Sequence, residues 1–281
     1  MNKLNIPPLP AVLGSILSVQ VGAAVAKGLF PALGAGSTAL VRIGLSAVIL
    51  LLVHRPDIGS LSKKQWQAVI PYGFCLGAMN VIFYLAIERI PLGIAVTLEF
   101  IGPLLLAVVT SKRKIDFLWI LLAAAGIMLI APWNGDGIDL LGAAMATVAG
   151  MLWAGYIVLG RRSSVVLDGT LSVTIGMIFA TVVALPVGIA SGGLSHFSYA
   201  MIIPAIGLAL LSSAIPFSLE IEALKQMPAK TFSILMSLEP VVAALCGVVF
   251  LKEYLTLAEC AAIVLVVIAS TGTMLTKEQL T

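Results

Sequence analysis

Long apolar runs separated by short polar junctions form the main pattern of this chain. A helix needs about 20 mostly apolar residues to cross a hydrocarbon core about 30 Å thick. The apolar runs are continuous rather than alternating, which favours helices over membrane β-strands. The pattern predicts ten transmembrane helices, over residues 10–30, 35–54, 66–87, 92–111, 117–132, 138–160, 170–190, 200–224, 230–250 and 256–275.

Glycine, proline and small polar residues mark the junctions between these runs. The linking loops are too short to hold a soluble domain. We read the first apolar run as a retained helix, because no basic stretch and small-residue cleavage site of a signal peptide accompany it. The marked junctions are Pro31, Pro56, Pro91, Asn134-Gly135, Ser191 to Gly193 and Pro228.

Composition agrees with a chain surrounded by lipid. Of the 281 residues, 60% are hydrophobic and 10% are charged, whereas soluble domains carry about 25% charged residues. The basic residues fall in short separated clusters, which argues against a nucleic-acid partner. Cys75, Cys246 and Cys260 lie in apolar runs without metal-ligand spacing, so neither a disulfide framework nor a metal site is predicted.

The distribution of Lys and Arg predicts the orientation, because cytoplasmic loops carry an excess of these residues. With the N-terminus inside, twelve of the 16 basic residues fall on the cytoplasmic side. Only Arg89 and Lys252 fall outside, while Lys27 and Arg42 lie within spans. Both termini are therefore predicted to be cytoplasmic.

The two halves of the chain resemble each other. A shift of 137 residues lays residues 84–91 on 221–228, Pro103 on Pro240 and Asp116 on Glu253. Each half holds five spans, an odd number, so the second half enters the membrane from the opposite side. The sequence predicts an all-α integral membrane protein with ten transmembrane helices as a 5+5 inverted repeat. The two units cover residues 10–132 and 138–275.

Two glutamates lie at membrane depth, where a charge costs roughly 2.5–3.5 kcal/mol on insertion scales. Glu99 lies about 12 Å beyond Pro91, and Glu239 about 16 Å beyond Pro228, at 1.5 Å per helical residue. A proline follows each of them, and proline frees a backbone carbonyl on the preceding turn. These carboxylates could receive an ammonium group or a proton, or else be buried in interhelical hydrogen bonds.

Other polar residues within the spans have two interpretations each. Glu220 is a candidate cavity residue, whereas Glu222 could reach the lipid headgroups. The Asn80 amide could bind a substrate hydroxyl or carboxylate, or could join helices. Lys27 could hold a substrate carboxylate or gate a cavity, whereas Arg42 is expected to pair structurally with a carboxylate or carbonyls.

Trp153 and Tyr156 lie in the sixth span and could line a cavity wall, although aromatic residues at this spacing usually pack. Enzyme motifs are missing. His54 and His196 do not form a zinc-protease motif, and no Walker A sequence is present. No repeated filter sequence indicates a channel. We therefore expect neither an enzyme nor a bound cofactor, and favour transport.

Three stretches carry a family resemblance: residues 21–31, 91–103 and 230–240. Together with the predicted repeat, they resemble the drug/metabolite transporter superfamily, EamA type, over about residues 10–275. The resemblance implies a bacterial inner-membrane exporter of small neutral amino acids, of the threonine/homoserine type. It also implies a central cavity, onto which we carry Lys27, Asn80, Glu99, Trp153, Tyr156, Glu220 and Glu239.

The mechanism implied is export by alternating access. The substrate ammonium would pair with Glu99 or Glu239, and its carboxylate with Lys27 or Asn80. A buried carboxylate could also carry a counter-proton. Proton antiport or downhill facilitation, and monomer or dimer, stay open. The alternatives are an exporter of other metabolites, aromatic compounds or drugs, and a membrane sensor or scaffold that moves no solute.

Overall fold

The computed structural model describes residues 6–90, 92–130, 139–239, 241–242 and 257–275. Within those ranges the regular structure is helical throughout, with no strand. Five of the described helices are long and apolar enough to cross a membrane by length and composition. These five are Pro31–His54, Lys63–Ile87, Leu140–Val166, Gly169–Ala190 and Tyr199–Gln226.

The first two predicted spans form one helical segment, α1 (Pro8–His54), with a sharp break inside it. The break lies at Gly34 (φ 68°, ψ 173°), and not at Pro31, which stays helical. Glycine has no Cβ and adopts a positive φ without steric cost, so it can turn the chain where proline cannot. The sequence junction therefore lay three residues too early.

The remaining helices follow the order of the predicted spans. Side chains cap the N-termini of α2 and α6: Ser62 and Gln65 form a reciprocal capping box, and Asp139 Oδ1 accepts from the amides of Leu141 and Gly142. The hydrogen bond from the Gly142 amide holds the pKa of Asp139 below its usual value. The helices are α2 (Lys63–Ile87), α3 (Leu92–Glu99), α4 (Ile101–Thr110), α5 (Lys114–Ile130), α6 (Leu140–Val166), α7 (Gly169–Ala190), α8 (Ile202–Ala209), α9 (Ile215–Gln226), α10 (Ala229–Met236) and α11 (Leu257–Leu275).

Helix α6 continues past its predicted end at residue 160. Arg161 and Arg162 are helical, and the helix ends at Val166. Arginine is a good helix former, so the end of an apolar run marks where the lipid ends and not where the helix ends. Asp168 then caps α7 through the amide of Gly169.

Two helices of the predicted spans are broken near a proline. The helix turns at Phe100, between α3 and α4, three residues before Pro103. A second helix, in the predicted span 230–250, turns at Ser237, three residues before Pro240, and helical backbone resumes at residue 238. Since Pro103 has no amide proton, the Glu99 carbonyl has no helical donor, which explains the first break.

Close glycine contacts join the central helices α2, α6 and α7 with α1. A Cβ at Gly73 would lie 2.7 Å from the carbonyl oxygen of Gly176, and a Cβ at Gly77 would lie 2.7 Å from the Ala180 Cα. Small residues let helix backbones approach closely in membranes, where packing drives association. Helices α5 and α11 form a second packed pair, with Gly126 against Val266.

One ion pair connects α5 with α10. Lys230 Nζ lies 2.8 Å from Asp116 Oδ2, and the side chains are 12% and 3% exposed. Burial alone would raise the pKa of Asp116, but hydrogen bonds from Lys230 and the Arg113 amide outweigh it and lower the pKa. Asp116 precedes the apolar run of the fifth span, at its predicted cytoplasmic end.

Candidate functional site

Glu220 is a buried carboxylate that joins three helices. Its side chain lies on α9, where the residue is 3% exposed. Oε1 accepts a hydrogen bond from Ser15 Oγ on α1 at 2.6 Å, and Oε2 accepts one from Tyr156 Oη on α6 at 2.9 Å. Each carboxyl oxygen therefore already has a donor from the protein, as burial of such a group requires.

Aromatic rings surround the Glu220 carboxylate on one side. The Tyr156 ring lies 5.5 Å from Tyr72 and 5.7 Å from Phe217, between centroids. Tyr72 and Tyr156 are both fully buried. The hydroxyl of Tyr72 is buried and has no hydrogen-bond partner within the described part of the chain.

Glu99 and Glu239 differ from Glu220 in their exposure and in their hydrogen bonding. Protein atoms surround both carboxylates, but part of each residue stays accessible, so both residues are half-buried. Neither carboxylate makes a hydrogen bond or ion pair with the residues that the structure describes. The two interact electrostatically with each other, and Glu239 also interacts with Glu220. Together these facts describe two half-buried carboxylates that have no partner among the described residues.

Arg42 joins α1 to α2 and to the segment before α9. Its Nη2 donates a short hydrogen bond to Asn80 Oδ1, and Nη1 donates to the Ser212 carbonyl at 3.3 Å. The guanidinium also lies 4.7 Å from the centre of the Tyr84 ring. The expected structural pairing of Arg42 with carbonyls is confirmed. Asn80 Nδ2 donates to the Leu76 carbonyl at 2.8 Å, so both of its polar atoms have protein partners.

The Ser212 carbonyl is available because the helix is irregular there. Residues Leu210–Ala214 form a π-helical turn between α8 and α9. Pro216 follows four residues after Ser212 and has no amide proton to donate to it. Side chains of α1 donate hydrogen bonds to the freed carbonyls. Arg42 Nη1 donates to the Ser212 carbonyl, and Ser18 Oγ donates to the Leu211 carbonyl at 2.7 Å. π-Turns are frequent at functional sites.

Trp153 lies on α6 beside the break between α3 and α4. Its ring meets Phe100 edge-on at 4.9 Å. The helices cross in direct backbone contact: a Cβ at Gly102 would overlap the Gly150 carbonyl, and a Cβ at Gly150 would overlap the Glu99 carbonyl. This close crossing fixes the position from which the Glu99 side chain extends.

The structure describes the side chains of six of the seven predicted site residues. Lys27 lies on α1, but its side chain is outside what the structure describes. Sequence reasoning missed Ser15 and Tyr72, the neighbours of the Glu220 and Tyr156 pair. Ser15 could have been noticed as a hydroxyl within the first apolar run, whereas nothing in the pattern singles out Tyr72.

Comparison with known proteins decides the family. A model described as the EamA-like transporter family matches residues 140–275. The chain is 40% identical over 271 residues to the threonine/homoserine exporter RhtA of Escherichia coli (strain K12), covering 96% of this chain and 92% of that protein. The chain belongs to the EamA-like transporter family. The predicted resemblance is confirmed, and this EamA-like transporter is a multi-pass membrane protein.

Two further comparisons agree with this assignment. The EamA-like transporter is 39% identical over 271 residues to the threonine/homoserine exporter RhtA of Salmonella typhimurium (strain LT2), with 96% and 92% of the two chains covered. A solved protein crystal structure superposes with a TM-score of 0.73 at 18% identity, covering 95% of this chain and 96% of that one. The fold is therefore shared over nearly the full length.

Proposed function

We propose that this EamA-like transporter exports small neutral amino acids of the threonine/homoserine type across the inner membrane by alternating access. The relatives named above carry that description and match nearly the whole chain. The observation that carries the proposal is the pair Glu99 and Glu239, two half-buried carboxylates without a described partner. Charges inside a membrane mark substrate or ion pathways, because they are costly to retain otherwise.

The architecture we propose is ten transmembrane helices in two inverted units, residues 10–132 and 138–275. The two helix breaks support it, because Phe100 and Ser237 are 137 residues apart, the same shift that aligns Pro103 with Pro240. The stretch that matches the family model, 140–275, also nearly coincides with the second unit. Broken helices at the junction of two repeats are where transporters bind substrates.

The relative direction of helices α2 and α7 also supports the count of ten transmembrane helices. Gly73 packs on Gly176 and Gly77 packs on Ala180, so α2 and α7 run in the same direction. In the proposed arrangement they are the third and seventh spans, which are separated by an even number and must be parallel. We propose that both termini are cytoplasmic, as the basic loops predict. Reporter fusions after Gly192 and at Thr281 should report opposite sides of the membrane.

The predicted binding residues have different proposed roles. Glu99 and Glu239 face the cavity and take the substrate ammonium or a proton, while Lys27 lies on α1 towards the outer side. Glu220 joins α1, α6 and α9 through Ser15 and Tyr156, so it closes the cavity on the cytoplasmic side. Trp153 supports the break beside Glu99. Asn80 holds Arg42.

Small cargo suits this interior better than large aromatic cargo. Tyr72, Tyr156 and Phe100 are fully buried, with their rings against other rings. Such side chains contribute packing and do not provide open aromatic walls. An exporter of aromatic compounds or drugs is the alternative within transport, and a sensor or scaffold is the alternative outside it.

The test is flux in proteoliposomes containing the full chain, with labelled threonine and homoserine, with and without a pH gradient. We expect saturable flux that excess homoserine blocks and that Glu239→Gln reduces at least tenfold, since a carboxylate that can hold an ammonium group or a proton is lost (roughly 1.5–3 kcal/mol for a charged contact). A response to the pH gradient would identify proton antiport. Without a response, facilitation would remain.

Glu222→Gln is the control, because it makes the same chemical change at a carboxylate on α9 whose Oε1 already accepts from Gln226 Nε2 at 3.2 Å. It should transport like the unaltered protein. If inserted protein gives no flux above empty liposomes, the amino-acid assignment fails. Flux that survives both Glu99→Gln and Glu239→Gln unchanged would contradict the site.

A further inference from the structure

We propose that Arg42 and Glu99 together form the clamp for a zwitterionic amino acid, with Arg42 binding the α-carboxylate and Glu99 the ammonium. This inference rests on the proposed function and deepens it. It assigns the carboxylate to a residue that the sequence predicted to be structural, in place of Lys27 or Asn80.

Arg42 is a buried cation without an anionic partner in the described chain. It is 6% exposed. Its contacts are the amide oxygen of Asn80, the carbonyl of Ser212 and the ring of Tyr84, all of them neutral. A buried charge with only neutral acceptors is costly, and a counter-ion removes that cost.

The guanidinium also has unused donors. It carries five N–H groups in a planar fork, which matches a carboxylate in a two-point contact. Nη1 and Nη2 each donate one hydrogen bond to the protein, and the buried Nε has no partner within the described ranges. The Nε–H is therefore a donor that the described chain leaves unused, and a carboxylate that reached it could bind the guanidinium side-on.

Glu99 supplies the opposite charge at a distance. The opposite charges of Glu99 and Arg42 influence each other, but no ion pair joins them in the described structure. A direct salt bridge would consume both charges. In a separated pair the negative and the positive group both stay available, and the ammonium and carboxylate of one amino acid are complementary to them.

Both residues lie at the same depth. Arg42 is eight residues after the break at Gly34, about 12 Å along the helix. Glu99 is eight residues after Pro91, again about 12 Å. Gly34 and Pro91 both lie at predicted outer ends of spans, so the clamp would lie in the outer half of the membrane.

Asn80 acts in this scheme as a positioning residue. Its Oδ1 holds Arg42, while its Nδ2 is held by the Leu76 carbonyl. Because its oxygen accepts from Arg42 and one of its two amide N–H groups donates to Leu76, the protein sets the orientation of the Asn80 amide. It fixes one terminal nitrogen of Arg42 and so orients the guanidinium.

The test compares two threonine analogues as competitors of labelled threonine counterflow in proteoliposomes. Threonine amide lacks the carboxylate, and N-acetylthreonine lacks the ammonium. The unaltered protein should prefer threonine over both. Arg42→Gln should weaken inhibition by threonine roughly 10- to 100-fold, with little change for the amide, because it removes a charged two-point contact. Glu99→Gln should instead remove the discrimination against N-acetylthreonine.

Ser46→Ala is the matched control, because Ser46 lies one helical turn from Arg42. Its Oγ donates to the Ala209 carbonyl at 2.8 Å, so the substitution weakens the same helix contact without changing charge. It should keep the preference for threonine over the amide. Arg42→Lys keeps the charge but loses the fork, and should retain part of that preference.

Asn80→Asp tests the clamp even if Arg42→Gln is not inserted, since it keeps Arg42 and gives it a carboxylate from the protein. It should lower the preference for threonine over the amide. The inference is overturned if Arg42→Gln or Asn80→Asp retains the full preference. Absence of threonine counterflow in the unaltered protein would instead reject the proposed function, and would be seen before any variant is compared.

Discussion

Two buried tyrosines, Tyr72 and Tyr156, have their rings in contact but differ in the hydrogen bonding of their hydroxyls. The Tyr156 hydroxyl donates to Glu220, whereas the Tyr72 hydroxyl has no partner in the described chain. Tyr156→Phe should destabilise the protein by about 1 kcal/mol or more, because it leaves a buried carboxyl oxygen without a donor. Thermal unfolding in detergent would measure the loss.

Tyr72→Phe is the control for that prediction. It removes a buried hydroxyl that makes no hydrogen bond with the described residues, so it should be neutral or slightly stabilising. Equal losses of stability in both variants would contradict a specific contribution of the bond to Glu220. Ser15→Ala should behave like Tyr156→Phe, because Ser15 supplies the other donor to Glu220.

At the scale of elements, the crossing of α6 with the break between α3 and α4 tolerates no side chain. A Cβ at Gly150 would overlap the carbonyl of Glu99, which belongs to the backbone and cannot rotate away. Gly150→Ala should therefore displace Glu99, lower the unfolding free energy by about 1–3 kcal/mol and reduce transport. Paired measurements of melting temperature and threonine flux would check this.

Gly207→Ala is the matched glycine control. Gly207 lies within α8, and a Cβ there would have no atom within 4 Å. Because alanine favours helix by up to about 1 kcal/mol over glycine, this substitution should be neutral or stabilising. If Gly150→Ala were as harmless as Gly207→Ala, the close crossing would have no role in positioning Glu99.

At the scale of the whole molecule, the ion pair between Asp116 and Lys230 joins the two proposed units. The pKa of Asp116 is lowered in the fold, so its stabilising effect is complete above the ordinary value of about 3.9. That effect disappears as the pH falls through the lowered pKa. Asp116→Asn should cost about 2 kcal/mol at pH 7 and progressively less as the pH falls below about 4.

Melting temperatures of the unaltered protein and Asp116→Asn, measured across that pH range, would test the prediction. Arg89→Gln provides the exposed comparison, because Arg89 and Asp139 are 45% and 39% exposed. Exposed ion pairs contribute little, so this variant should change stability little at any pH. A constant difference for Asp116→Asn down to the lowest pH would contradict the ionic role of the pair.

The sequence by itself determined the features that depend on local composition. Continuous apolar runs fixed the helical membrane character, because lipid requires about 20 apolar residues per crossing. Residues 21–31, 91–103 and 230–240 were enough to identify the family. Glu99 and Glu239 could be recognised as exceptional without coordinates, since a carboxylate in an apolar run is costly wherever it packs.

Only the tertiary structure decided which polar groups are already satisfied. Glu99 and Glu220 look alike in the sequence, but Ser15 and Tyr156 occupy the oxygens of Glu220 alone. The partners of Arg42 likewise could not be named from the sequence, because Asn80 and Ser212 lie 38 and 170 residues away. Long-range packing determines whether a charge is neutralised by the protein or left for a ligand, and apolar periodicity contains no information about such contacts.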